Sequence, residues 1–112
     1  MGDTMEKLMG IQKTMDAFGA HNPEAMRGFK KFMTQAKKQT ALSPKMKELI
    51  GIGIAIHAQC ELCIIMHVKS ALDSGATKDE IIDAALVAAT LGGGPAIMHT
   101  KIVFDALDDL VQ

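Results

Sequence analysis

At 112 residues the chain is expected to be a single domain over 1–112, long enough for a modest hydrophobic core but short for one that stands alone. Its 12 Lys and Arg against 13 Asp and Glu leave a formal charge of −1, so no basic field points to nucleic acid or to an anionic membrane. Met1 opens no charged-then-apolar leader, and no apolar stretch reaches the roughly 18 residues that a membrane span needs. The expectation is a cytoplasmic protein that binds neither membrane nor nucleic acid.

Helical signals run the length of the chain. From about Asp3 to Phe18, Met5, Leu8, Met9, Met15 and Phe18 recur at helical spacing. Asn22-Pro23 then reads as a cap followed by proline in the first helical position. The helix it opens puts Met26, Phe29, Phe32, Met33 and Ala36 on one stripe, with Lys30, Lys31, Lys37 and Lys38 as a solvated face. Ser43-Pro44 repeats the cap-plus-proline signature and opens a helix from about Lys45 to Ala58, almost wholly apolar after Leu49.

A second apolar helix follows the two cysteines and stops at Gly75. Thr77-Lys78-Asp79-Glu80 is a capping-box pattern leading into Ile81–Leu91. Gly92-Gly93-Gly94-Pro95 should break that helix, and a last one carries Ile97, Met98, Ile102, Val103, Leu107 and Leu110. The glycine run lacks the Lys-Ser/Thr of a phosphate loop and reads as a tight turn that lets helices approach closely. No segment alternates at period two. The expected fold is all-α, a compact orthogonal domain of about six helices. Helices 50–58 and 81–91 are too apolar all round for a monomer of this size, which points to an oligomer.

The chemistry concentrates in Cys60-Glu61-Leu62-Cys63-Ile64-Ile65-Met66-His67, which holds both cysteines of the chain. In a reducing compartment a Cys-x-x-Cys pair is more often catalytic or metal-binding than structural, and a bridge closing so short a loop would stabilise little. A helix beginning at Cys60 would favour a thiolate there through its partial positive charge. His67, one turn after Cys63, can instead accept the proton of Cys63 and hold the resulting anion. Cys63 is the favoured attacking thiol, because peroxide cleavage also needs a proton for the departing alkoxide and His67 can return one. Cys60 then resolves the sulfenic acid into a Cys60–Cys63 disulfide, which a separate dithiol must reduce.

Glu48, by position alone, reads as a surface carboxylate ending a charged first turn with Lys45 and Lys47, although an acid there can orient His67 or pass it a proton. His57 reads as a partly exposed helix-end residue, His99 as a packing histidine and His21 as solvent-facing. A zinc or iron site using Cys60, Cys63 and His67, with Glu48, His57 or His99 as fourth ligand, is an alternative, as is a non-catalytic helical oligomer. Covalent haem attachment is excluded, since Ile64 stands where a histidine would follow the second cysteine. No cofactor and no resident metal are expected.

Glu48, Cys60-x-x-Cys63 and His67 together resemble the active-site pattern of the AhpD-like alkyl hydroperoxidases of the carboxymuconolactone decarboxylase superfamily. The resemblance runs from about Leu42 to Leu110 and takes in Cys63–Leu72, Gly75–Ile81 and Gly92–Ala96. It implies an all-helical homo-oligomer, often a trimer or hexamer, in which the second cysteine attacks peroxide, the first resolves, and histidine and glutamate relay protons, commonly through a water. Those roles fall on Cys63, Cys60, His67 and Glu48. The implied partners are a hydroperoxide substrate and a lipoyl or thioredoxin-like dithiol reductant. The decarboxylase branch lacks the cysteine pair. The chain is much shorter than two-repeat members, so any second half would come from a neighbouring subunit.

Overall fold

Three capping side chains decide where helices begin. Asn22 Oδ1 accepts from the backbone N–H of Ala25 (3.1 Å), Ser43 Oγ accepts from that of Met46 (3.1 Å), and each is followed by a proline that fits the first helical position. Thr77 and Glu80 form a reciprocal capping box: Glu80 N–H donates to Thr77 Oγ1 (3.1 Å) and Thr77 N–H to Glu80 Oε1 (2.8 Å).

The computed structural model describes residues 2–111, and the helices are α1 (Gly2–His21), α2 (Pro23–Lys37), α3 (Pro44–His57), α4 (Glu61–Asp73) and α5 (Lys78–Leu110). There is no strand among the described residues. The fold is all-α, as expected, with five helices where about six were anticipated. The difference lies at the glycine run. Gly93 leaves helical geometry (φ 67°, ψ −147°), so the expected break between two helices falls there; the helical stretches on either side are counted together as α5, with Pro95 just beyond the break.

The core is built from three helices. α3 packs against α4 and α5, and α4 packs against α5. Ile52 and Ile56 of α3, Ile64 and Val68 of α4, and Ile81, Val103 and Leu107 of α5 are sealed from solvent in one cluster. Burying each such side chain is worth about 1.5–3 kcal/mol. Gly92 allows the kinked half of α5 to close up, since a Cβ there would sit 2.5 Å from Ala96 Cβ.

The α1–α2 pair is more loosely held. α2 touches α1 and buries none of its side chains, and its stripe leaves Phe32 71 % exposed. The radius of gyration, 14.4 Å, accordingly exceeds the roughly 13 Å of a compact chain of this length. α1 is tied to the first turn of α4 by Lys7 Nζ on Glu61 Oε2 (2.7 Å); this contact first, and Asp3 second, hold the Lys7 ammonium above its ordinary pKa.

Two sequence expectations need correction. Counted across the break at Gly93, α5 spans 33 residues, and by length and composition alone it is apolar enough to cross a membrane (mean hydropathy 1.6 over 18 residues). Its Ile81, Ala85, Ala88, Ala96, Val103, Ala106 and Leu107 are nevertheless buried within the protein. Glu48 is the second, and it belongs to the site described next.

The Thr77 backbone N–H and then the Lys45 ammonium (3.0 Å) hold the Glu80 carboxyl below its ordinary pKa. Stability from a depressed carboxyl is present above its unfolded value and fades as pH falls through its folded one. Glu80→Gln should therefore lower the melting temperature at pH 7, and the gap to the parent should close as the pH falls through the depressed Glu80 pKa; melting curves from pH 7 into the acid range check it.

Candidate active site

One residue joins α3 to α4. Gln59 adopts a left-handed conformation (φ 57°), a position that suits glycine better, and lets the backbone close α3 with two bonds: Gln59 N–H to Ile56 O (3.0 Å) and Cys60 N–H to Ala55 O (3.1 Å). The same Cys60 then opens α4 as its N-cap, its Sγ accepting from the Cys63 N–H (3.2 Å). The last link of one helix is thus the first of the next, and the pair folds back into a hairpin. Cys60 sits half-buried at the positive end of α4, and Cys63 one turn in. A disulfide joins them, with Cα atoms 5.2 Å apart.

The hairpin brings Glu48, near the start of α3, against His67, in the middle of α4. His67 Nδ1 lies 2.7 Å from Glu48 Oε1. A carboxylate only accepts, so in a neutral ring Nδ1 carries the hydrogen and Nε2 the lone pair. His67 also follows Cys63 by one helical turn and shares its face of α4.

Glu48 is not the surface carboxylate that its neighbours suggested; it is 4 % exposed. Lys45 and Lys47 leave it alone because each is engaged elsewhere: Lys45 on Glu80, Lys47 on the carbonyls of Ala36 (2.9 Å) and Lys38 (2.6 Å) and on Thr40 Oγ1 (3.0 Å). A buried carboxylate needs compensating partners. Its second oxygen, Oε2, is paired with Lys37 Nζ at 3.3 Å. Lys37 read as part of a solvated face; the structure brings it to the site.

Gly51 is the second residue that the sequence reading passed over. The His67 ring lies on this glycine of α3: a Cβ there would fall 2.7 Å from Nδ1, 2.8 Å from Cε1 and 3.1 Å from Cγ. A glycine inside a helix costs roughly 1 kcal/mol relative to alanine, which is a signal that something needs the space. The signal is not specific, because Gly53 shares it and has nothing within 4 Å.

The other histidines stay apart. His21 is exposed in the last turn of α1, and His99 Nδ1 bonds its own helix at Pro95 O (2.9 Å). His57 is exposed at the end of α3 and faces Gly92. It lines an open apolar groove of about 720 Å³ between α3 and α5 with Ile50, Gly53, Ile54, Val87 and Leu91. At 3.6 residues per turn, that side of α3 is turned away from Glu48 and Gly51, so the groove is separate from the cysteine site. Two sulfurs joined in a disulfide do not ligate, and no group of three or more His, Cys, Asp or Glu among the described residues is placed to hold a metal ion. The geometry therefore lends nothing to the alternative of a Cys60, Cys63 and His67 metal site.

Residues 23–106 match the carboxymuconolactone decarboxylase family. The chain is 30 % identical over 109 residues to an uncharacterised protein of Cupriavidus necator, covering 95 % of this chain and 96 % of that one. It is 39 % identical over 70 residues to an uncharacterised protein of the cox locus of Paracoccus denitrificans, covering 62 % and 63 %. A crystal structure of an apo carboxymuconolactone decarboxylase family protein from Legionella pneumophila superposes with a TM-score of 0.94 at 28 % identity, covering all of both chains. A Thermotoga maritima protein of the same family has the same fold (TM-score 0.81, 23 % identity, 93 % and 89 % covered). The chain belongs to the carboxymuconolactone decarboxylase family.

Proposed function

We propose that the protein is an AhpD-like thiol peroxidase that reduces hydroperoxides, organic ones foremost, through its Cys60–Cys63 couple. The observation that carries this reading is the pairing of the two sulfurs at the start of α4, with His67 one turn on and backed by buried Glu48. The resemblance in the Glu48, Cys60, Cys63 and His67 pattern supports the same roles.

The cycle starts from the dithiol. His67 Nε2 takes the proton of Cys63, and Glu48 on Nδ1 steadies the imidazolium that forms. The Cys63 thiolate attacks the hydroxyl oxygen of the hydroperoxide. The O–O bond breaks, Cys63 becomes a sulfenic acid, and the alkoxide leaves as alcohol with the proton from His67. Cys60 sulfur then attacks Cys63 sulfur; the S–O bond breaks and water leaves with the Cys60 proton. One hydroperoxide and one dithiol thus become one alcohol, one water and one disulfide. A lipoyl or thioredoxin-like dithiol in the cytoplasm restores the two thiols by exchange.

The same reading assigns the uncovered apolar surface to assembly. Ile54 of α3 and Leu91 of α5 are 64 % and 82 % exposed along the groove, more than a solitary small domain ordinarily shows. Neighbouring copies in a trimer or hexamer would cover it.

Two sets of variants test this function. The reduced parent should lose both thiols to one equivalent of cumene hydroperoxide and recover them with a dithiol. Cys63→Ser should abolish peroxide consumption, while Cys60→Ser should complete one turnover and stall as a sulfenic acid trapped by dimedone. Equal residual turnover in both would overturn the roles. Gly51→Ala should push the His67 ring off Glu48, costing about 1–3 kcal/mol in thermal unfolding and slowing thiol oxidation. Gly53→Ala, which meets nothing, should hold or gain up to about 1 kcal/mol and keep the rate. Matching behaviour of the two alanine variants would contradict the placement of His67.

A further inference from the structure

Both oxygens of the Glu48 carboxylate are taken, one by His67 Nδ1 and one by Lys37 Nζ, and the side chain is only 6 % exposed. Lys37 is the last residue of α2, a helix that otherwise packs on α1. What brings it across is Lys47, the residue before Glu48. Its ammonium gathers Ala36 O, Lys38 O and Thr40 Oγ1, and so pins the carbonyl end of α2 to the first turn of α3. Among the described residues, no ionisable group of α1 or α5 is hydrogen-bonded or ion-paired with Glu48 or His67; their charged neighbours are Lys37 from α2 and each other.

We propose that Lys37 is a positioning residue of the thiol site: its ammonium neutralises Glu48, so that His67 remains an uncharged base with Nε2 free for the Cys63 proton. The proposal rests on the peroxidase reading for its catalytic meaning. A buried carboxylate requires a cation, and two groups reach this one. With Lys37 in place a neutral imidazole is a sufficient second partner, donating through Nδ1. Without Lys37 the imidazolium is the remaining counter-ion, and a ring held in that form has no lone pair to offer a thiol. Lys37 itself touches neither sulfur nor substrate and acts only through Glu48.

The test uses the full-length protein in its disulfide form, without peroxide. Long-range proton–nitrogen NMR on histidine-labelled protein follows the ring of His67, identified by its loss in His67→Gln. Lys37→Met should move the titration of His67 upward by about half a pH unit or more. Lys37→Arg, which keeps the charge, should restore the parent curve, and in a Glu48→Gln background Lys37→Met should have little further effect. A His67 titration that is the same in Lys37→Met and parent would overturn the proposal, whatever the enzyme's activity. If His67 responds as expected but the reduced parent consumes no hydroperoxide, the counter-charge stands and the peroxidase reading falls.

Discussion

The contact between Glu48 and His67 across the α3–α4 hairpin is the constraint to which the surroundings of the site answer. Burying a carboxylate in so small a protein is unfavourable unless its charge is met, and it is met on both oxygens. Gly51 removes the one Cβ that would hold the two helices apart at this level. The left-handed Gln59 and the shared backbone of Cys60 set how α3 turns into α4, and with it the level at which Glu48 and His67 meet. On the proposed reading the same hairpin also delivers the chemistry, because the residue that caps α4 is the resolving thiol and the histidine anchored to α3 is the base.

Much of this was legible in the residues. Asn22-Pro23, Ser43-Pro44 and Thr77–Glu80 mark helix starts through local hydrogen bonds that need no knowledge of the rest of the fold, and the structure has all three. Cys60, Cys63 and His67 lie within eight residues, so their proximity follows from helix geometry alone. Glu48 is different. Its own neighbours, Lys45 and Lys47, made it look solvated, and only distant partners of those lysines, Glu80 and the end of α2, show why it turns inward. The family resemblance singled it out where local pattern did not. Lys37 was hidden for the same reason, since a lysine among lysines reads as a wet surface until a remote carboxylate claims it. The glycine run reads as a stop because glycine and proline interrupt helices, and the structure breaks helical geometry there, at Gly93.

Family membership and activity are separate matters here. The match over residues 23–106 shows the helical scaffold, and the family takes its name from a decarboxylase. The peroxidase proposal rests on the sulfur pair and its histidine, features of the site. The apolar groove, on the opposite side of α3, takes no part in that proposal beyond assembly.

The central claim is that the imidazole of His67 makes Cys63 a better nucleophile toward peroxide than an ordinary thiol. Stopped-flow oxidation of the reduced protein by cumene hydroperoxide at pH 7, in the parent and in His67→Gln, measures this directly. The account predicts a second-order rate constant for the parent at least about a hundredfold above that of His67→Gln, in line with general-base assistance. A parent no faster than the variant, with both at the rate of free cysteine, would contradict it.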